Sequence, residues 1–219
     1  LFSSISYINL LPCQVFLKRY LSSNAAKMSF YYKRPIPSQI NKALKRRELN
    51  TAFISSIESH KHKCTDLGII AHKKVYSVLL LKGQNESDPA SATSNQLAKV
   101  LNLQGKVLIG DAALKYYLDG GEGTDLAEAW YEKNKLPFVF ARLCYNKHDK
   151  EIQKIARIFA HTKVKIPQYI LKKEAKKRGI TPKQLVWYLD HIYYKMDDKA
   201  KKSLKLFLKK SRNTYFPLF

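Results

Sequence analysis

Lys106-Val107-Leu108-Ile109-Gly110-Asp111-Ala112-Ala113-Leu114-Lys115-Tyr116-Tyr117-Leu118 reads as three joined pieces. Lys106 to Ile109 is a short apolar strand, Gly110-Asp111 a sharp turn, and Asp111 to Leu118 a helix. The same alternation runs outward in both directions. Upstream, Leu1 to Ser6 reads as a first strand, and Pro12 opens a helix with Val15, Phe16 and Tyr20 along one side. Tyr31 to Arg34 is a small strand-like piece, and Pro37-Ser38 starts a helix through Arg47 with Ile40 and Leu44 inward. Thr51 to Ile54 is a strand ending in Ser55-Ser56; Leu67 to Ala71 and Val75 to Leu81 are further strands. The polar connector Gln84 to Pro89 leads to a helix from Ser91 to Leu101. Downstream of the Gly120 to Gly123 loop, Thr124 is expected to cap a helix carrying Leu126, Ala129 and Trp130, and Pro137 precedes a strand, Phe138 to Leu143. Everything beyond Asn146 is expected to be helical, near 149–161, 167–177, 182–195 and 198–211, with Gly179 as a stop signal. Strands alternating with helices predict an α/β fold with at least partly parallel sheets and a helical C-terminal region.

The 219 residues, 45% hydrophobic and 12% aromatic, supply a core and exclude a disordered, collagen-like or disulfide-stapled chain. The balance of 40 Lys+Arg against 17 Asp+Glu gives a net charge of +23, an attractor for anions generally. The excess concentrates after Asn146, where 20 Lys+Arg face 6 Asp+Glu. Three cysteines, Cys13, Cys64 and Cys144, lie far apart with no CxxC pair, so a disulfide framework is not expected and a reducing, cytoplasmic setting is. No positive charge precedes the N-terminal apolar stretch, and no apolar run is long enough for an integral membrane segment.

Several constellations could carry chemistry. Asn9, within Ser6-Tyr7-Ile8-Asn9-Leu10-Leu11-Pro12, stands between a strand and a helix, where α/β folds hold ligands; it could equally stabilise its own turn. Ser55 and Ser56 close another strand. In Asp88-Pro89-Ala90-Ser91-Ala92-Thr93-Ser94 three hydroxyls lead into a helix whose first N–H groups suit a carboxylate, or simply cap it. Gly110 permits close approach, and Asp111 faces the site or caps its helix. Arg142, near the end of an apolar strand, either meets an anionic ligand or pairs with a structural acid. His60-Lys61-His62-Lys63-Cys64 lacks a second ligand cluster, so no metal is expected; Cys144 and His148 lack a third catalytic member. Gly120 to Gly123 lacks a phosphate loop's Lys-Ser/Thr, and Trp187, Leu189, Tyr193 and Tyr194 suit a core better than nucleic acid.

Taken in order, the Asn9 motif, Ala52-Phe53-Ile54-Ser55-Ser56-Ile57-Glu58, the Asp88 to Ser94 motif, Val107 to Leu114 and Leu136-Pro137-Phe138-Val139-Phe140-Ala141 resemble the motif set of chorismate dehydratases, the MqnA family. The resemblance implies a two-lobed fold like that of type II periplasmic binding proteins. Lobe one would hold 1–83 and 143–219, and a smaller inserted lobe two would hold 84–142, with the ligand cleft between them. The stretch between Leu81 and Asp88 is short against the family pattern, lacking a strand. The implied reaction is a hydro-lyase step of the futalosine route to menaquinone: chorismate, a small dianion, loses water to give 3-[(1-carboxyvinyl)oxy]benzoate without cofactor. Asn9 would orient the reacting zone. Ser55 and Ser56 would hold one polar end, and Ser91, Thr93 and Ser94 a carboxylate. Gly110 and Asp111 would line the opposite wall, Tyr7 would close the aromatic side, and Arg142 would face the substrate. A dihydroxynaphthoate synthase of the same pathway and a non-catalytic solute-binding protein are the alternatives, with a basic nucleic-acid module behind them.

Overall fold

The computed structural model describes residues 2–3, 7–21 and 37–215. The expected strand-like piece at Tyr31–Arg34 lies outside them, as does most of the Leu1–Ser6 strand, of which β1 (Phe2–Ser3) is described. A single 3-10 turn, Ile8–Leu10, runs into α1 (Leu11–Tyr20), with Pro12 in the first turn where its missing N–H goes unmissed. Next come α2 (Pro37–Lys45), β2 (Thr51–Ser55), the short α3 (Ser56–Ser59), β3 (Lys63–Ala71) and β4 (Val78–Leu81). They are followed by α4 (Ala92–Leu101), β5 (Lys106–Ile109), α5 (Gly110–Leu118), β6 (Thr124–Asp125) and α6 (Leu126–Asn134). The chain closes with β7 (Phe138–Tyr145), α7 (Asp149–Ala160), α8 (Gln168–Lys176), α9 (Pro182–Leu189), β8 (Ile192–Lys195) and α10 (Asp198–Tyr215).

The strands form two sheets, one ordered β1-β2-β7-β3-β8 and one ordered β5-β4-β6. Only β1 and β2 are hydrogen-bonded in parallel; all other described strand pairs are antiparallel. The cause is β7, which returns after the second sheet and slots between β2 and β3. Those two strands therefore run the same way without touching. A parallel bridge from Glu86 to Lys106 stands in the short stretch before Asp88.

Long-range partners corrected three expectations. Residues 192–195 are a strand rather than the end of a helix: Ile192 and Tyr193 pair with Ala71 and Ile70 on the free edge of β3. The cap of α6 is Asp125, not Thr124, which pairs with Leu80 in β6. The Asp125 carboxylate accepts from four main-chain N–H groups, those of Ala127, Glu128, Val75 and Tyr76, so it caps α6 and clamps the chain entering β4. Cys64 and Cys144 occupy one register position across β3 and β7 and are bonded as a disulfide, although 80 residues separate them; Cys13 is free and buried.

The second sheet is tied to the first through a joint of aromatics. Trp130 of α6 is fully buried and meets Phe138 of β7 and Phe207 of α10 edge to face at 5.4 and 6.0 Å. Its indole N–H donates to Ser203 Oγ at 2.9 Å. Among the described residues no helix is long and apolar enough to cross a membrane.

Candidate functional site

A recess of about 540 Å³, counted to its open mouth, lies where the two sheets face each other. Its polar side chains are Tyr7, Asn9, Ser55, Ser77, Ser91 and Ser94; Ile69, Val75, Val78, Ile109, Phe140 and Ala141 complete the wall with Gly110. Both sheets contribute, through β2, β3 and β7 on one side and β4 and β5 on the other.

Each polar group is there for a local reason. Ser91 is the N-cap of α4: its Oγ accepts from the Ser94 N–H at 3.1 Å and donates to Ser94 Oγ at 2.8 Å. The preceding turn is pinned by Asp88, whose carboxylate accepts from Ala90 N–H, and by Asn95, whose amide bonds the Asp88 main chain at both ends. The positive end of a ten-residue helix is thereby held open toward the recess. Ser55 ends β2, and its N–H and Oγ both bond the Asn41 amide.

Gly110 sits at φ +69°, and a Cβ there would come within 2.7 Å of the Tyr7 ring. The glycine thus lets the ring lie flat against the start of α5. Burial, with Asp88 and Asp111 nearby, pushes the Tyr7 phenol up to about 12, so it stays protonated. Asn9 presents a buried Oδ1 with no hydrogen-bond partner among the described residues, at the recess wall.

Of the ten residues expected in the site, Tyr7, Asn9, Ser55, Ser91, Ser94 and Gly110 share this recess. The other four lie outside its lining. Ser56 and Thr93 are buried against each other, with Oγ to Oγ1 at 3.3 Å, joining α3 to α4. Asp111 accepts from the Ile8 N–H at 3.0 Å and pairs with Arg178 Nε at 2.5 Å. Arg142 donates through Nη2 to the Thr65 carbonyl at 3.0 Å, and its buried Nε has no hydrogen-bond partner among the described residues. Burial holds that guanidinium below its ordinary value against the pull of Asp66.

Sequence reading missed Ser77 and Asn41. Ser77 lines the recess and shares a 2.9 Å hydrogen bond with the buried Tyr188 hydroxyl. It was absorbed into an apolar strand expected to start at Val75, yet a lone hydroxyl at the head of such a run is a usable signal. Asn41 carries no local signal, because its partner Ser55 is brought to it only by folding.

A family model described as menaquinone biosynthesis matches residues 89–213. The chain is 49% identical over 214 residues to a chorismate dehydratase of Campylobacter jejuni subsp. jejuni serotype O:23/36 (strain 81-176), covering 95% of this chain and 96% of that one. It is 24% identical to a chorismate dehydratase of Thermus thermophilus, over 84% and 88% of the two chains. Among solved structures, protein AF1704 of Archaeoglobus fulgidus matches with a TM-score of 0.70 at 12% identity, covering 98% of this chain and 97% of that one. The periplasmic aliphatic sulphonate binding protein SsuA of Escherichia coli matches at 0.52 and 13%, covering 98% and 85%. The fold is therefore the α/β fold of periplasmic binding proteins, with a helical C-terminal region.

Proposed function

The chain belongs to the chorismate dehydratase family of menaquinone biosynthesis, a family of hydro-lyases, and on that basis we propose that the recess between its two sheets is where chorismate loses water. We assign one lobe to each sheet, which moves the expected bounds of 1–83 with 143–219 and of 84–142. β4 (Val78–Leu81), inside the first segment, belongs to the sheet of lobe two, and β7 (Phe138–Tyr145), mostly inside the inserted segment, belongs to the sheet of lobe one. Asn9 orients the reacting zone, its unpartnered Oδ1 accepting from the ring hydroxyl. Ser91 and Ser94, with the N–H groups of the α4 N-terminus, hold a carboxylate. Ser55 and Ser77 serve the other polar end, and Tyr7 covers the ring as a hydrogen-bond donor.

One observation carries the mechanism. The polar lining is made of hydroxyls and one amide, with no carboxylate, imidazole or amine among the lining side chains. Tyr7, protonated up to about 12, is no base at neutral pH. The base is then the substrate's own enolpyruvyl carboxylate, which takes the ring proton beside the ether carbon–oxygen bond. The electron pair of that C–H bond enters the ring as the C–OH bond of the adjacent ring carbon breaks, the ether bond staying intact. Hydroxide leaves, collects the proton and departs as water, and the ring becomes aromatic. The protein's share is orientation of groups already present in one molecule, an effect worth several kcal/mol.

A soluble metabolite as substrate supports a cytoplasmic location; the cysteine pattern no longer supports it, given the Cys64–Cys144 disulfide. The test is to incubate the pure protein with chorismate and weigh the product. An aromatic ether one water lighter than chorismate supports the reading, and unchanged chorismate refutes it. Asn9→Ala is expected to lower kcat by about a hundredfold, the usual cost of one well-placed polar group; full turnover would remove Asn9 from the mechanism.

A further inference from the structure

The Asn9 turn is gripped from outside at two peptide groups, the one before Ile8 and the one after Asn9. The 3-10 turn Ile8–Leu10 has little hydrogen bonding of its own, a 3.2 Å bond from Leu10 N–H to the Tyr7 carbonyl and one from Leu11 N–H to the Ile8 carbonyl. On one side the Ile8 N–H donates to Asp111 Oδ1 at 3.0 Å. The other carboxylate oxygen, Oδ2, receives Arg178 Nε at 2.5 Å, and Arg178 Nη1 is braced by Glu174 Oε2 at 2.7 Å. Arg178 and Glu174 are largely shielded, at 12% and 16% side-chain exposure, so this chain of charges is more than a solvated surface pair. On the other side the Asn9 carbonyl accepts from the Tyr194 hydroxyl at 2.5 Å. Tyr194 belongs to β8 and packs on Phe159 of α7 with ring centroids 5.1 Å apart. Neither Arg178 nor Tyr194 lines the recess.

We propose that Tyr194 and Arg178 are positioning residues of the dehydration, Tyr194 directly and Arg178 through Asp111, holding the main chain of the Asn9 turn so that the amide meets the substrate in register. The inference rests on the reading of Asn9 given above. It also assigns work to the C-terminal region: the strand that sequence periodicity hides and the loop after α8 aim a residue at the opposite end of the chain.

The test uses the full-length protein. Tyr194→Phe keeps the ring and removes one donor. It is expected to lower kcat roughly ten- to hundredfold with KM within about twofold, as a misdirected group does. In an Asn9→Ala background the same change is expected to cost nothing further, because its effect runs through the Asn9 side chain. Arg178→Gln is expected to lower kcat likewise and Arg178→Lys to restore part of it, an ammonium still being able to reach Asp111. The side-chain amide cross-peaks of Asn9 in a nitrogen-edited NMR spectrum should shift or broaden in Tyr194→Phe and in Arg178→Gln. If Asn9→Ala turns over fully, the Asn9 reading fails and this proposal with it. If Asn9→Ala is impaired while both other variants keep wild-type kcat, the proposal alone is overturned. A loss in Tyr194→Phe that persists undiminished in the Asn9→Ala background overturns it too, since that is what general destabilisation does. Should Tyr194→Phe not fold, the Arg178 pair and the Asn9 cross-peaks decide.

Discussion

Gly110→Ala should damage stability and turnover together, for separable reasons. At φ +69° an L-residue carries a backbone penalty of about 1–2 kcal/mol. The added Cβ would stand 2.7 Å from Tyr7 Cε1 and 2.9 Å from Cδ1 and Cζ. Carbon atoms rest at about 3.5–4.0 Å, so the ring must retreat by roughly 0.8 Å or more. Both residues line the recess, so the displacement alters its wall. For a chain of this size each kcal/mol lowers Tm by about 2–4 °C, which puts the expected drop at roughly 2–8 °C. A displacement of that order at the reacting zone lowers kcat/KM by about a hundredfold. Gly120 provides the control: its φ is +89°, yet a Cβ there meets nothing within 4 Å. Gly120→Ala should carry the backbone penalty alone and keep wild-type turnover. Thermal melts and a chorismate dehydration assay on both variants read the two effects apart. Gly110→Ala with Tm and kcat/KM indistinguishable from wild type would refute the contact, and equal loss of turnover in both variants would refute its locality.

Ser91→Ala removes the α4 cap and should lower stability by about 1 kcal/mol while raising KM, both read from denaturant melts and steady-state kinetics; an unchanged KM would detach the cap from the substrate carboxylate. Ser203→Ala strands the buried Trp130 indole N–H and should cost about 1–3 kcal/mol with turnover of the folded enzyme preserved, since neither residue lines the recess. Burial alone would raise the Glu174 carboxyl, but hydrogen bonds from Lys177 and Arg178 outweigh it and hold the group below its ordinary value. A depressed carboxylate stabilises the fold above its unfolded-state value, about 4.5, and loses that contribution as pH falls through the lower folded-state value. The stability gap between wild type and Glu174→Gln should therefore be flat near neutrality and shrink only below about pH 4.5; a gap that closes near pH 7 contradicts the pairing. Two lobes around a recess should also close on the ligand, so small-angle scattering should show compaction on adding chorismate or product, and identical curves would rule closure out.

Legibility in the sequence tracked how local each feature's cause is. Ile109-Gly110-Asp111 announced its turn because the glycine and the helix start are adjacent, and Ser91 announced its cap because the N–H groups it serves lie within one turn. Gly179, at φ +63°, follows the end of α8 as a stop signal should. What failed was set at a distance. Ile192–Lys195 continues a helical pattern until the open edge of β3 offers it hydrogen bonds, and edge pairing outweighs propensity. Cys64 and Cys144 look unrelated until β7 inserts beside β3 and puts them at one register position. Thr124 and Asp125 are equally good caps on paper; Asp125 wins because its carboxylate also satisfies Val75 and Tyr76, some fifty residues upstream. Asp111 and Arg142 drew attention as charges near a cleft, but each has a main-chain or ionic partner away from it.

The charge of the protein and the chemistry of its recess point in opposite directions, and the contrast is informative. With a net charge of +23, the surface draws an anion from every side. The recess nonetheless has no cationic side chain in its lining and meets the anion with hydroxyls, an amide and a helix N-terminus. A lysine or arginine bound to the enolpyruvyl carboxylate would stabilise that carboxylate and weaken it as a base. Neutral donors fix its position too and also lower its basicity, but less than a donor carrying a full positive charge. On this reading the basic exterior governs arrival and the neutral interior governs reaction. A lysine placed at Ser55 or Ser77 should then tighten chorismate binding while slowing its dehydration, separating the two roles in one pair of variants.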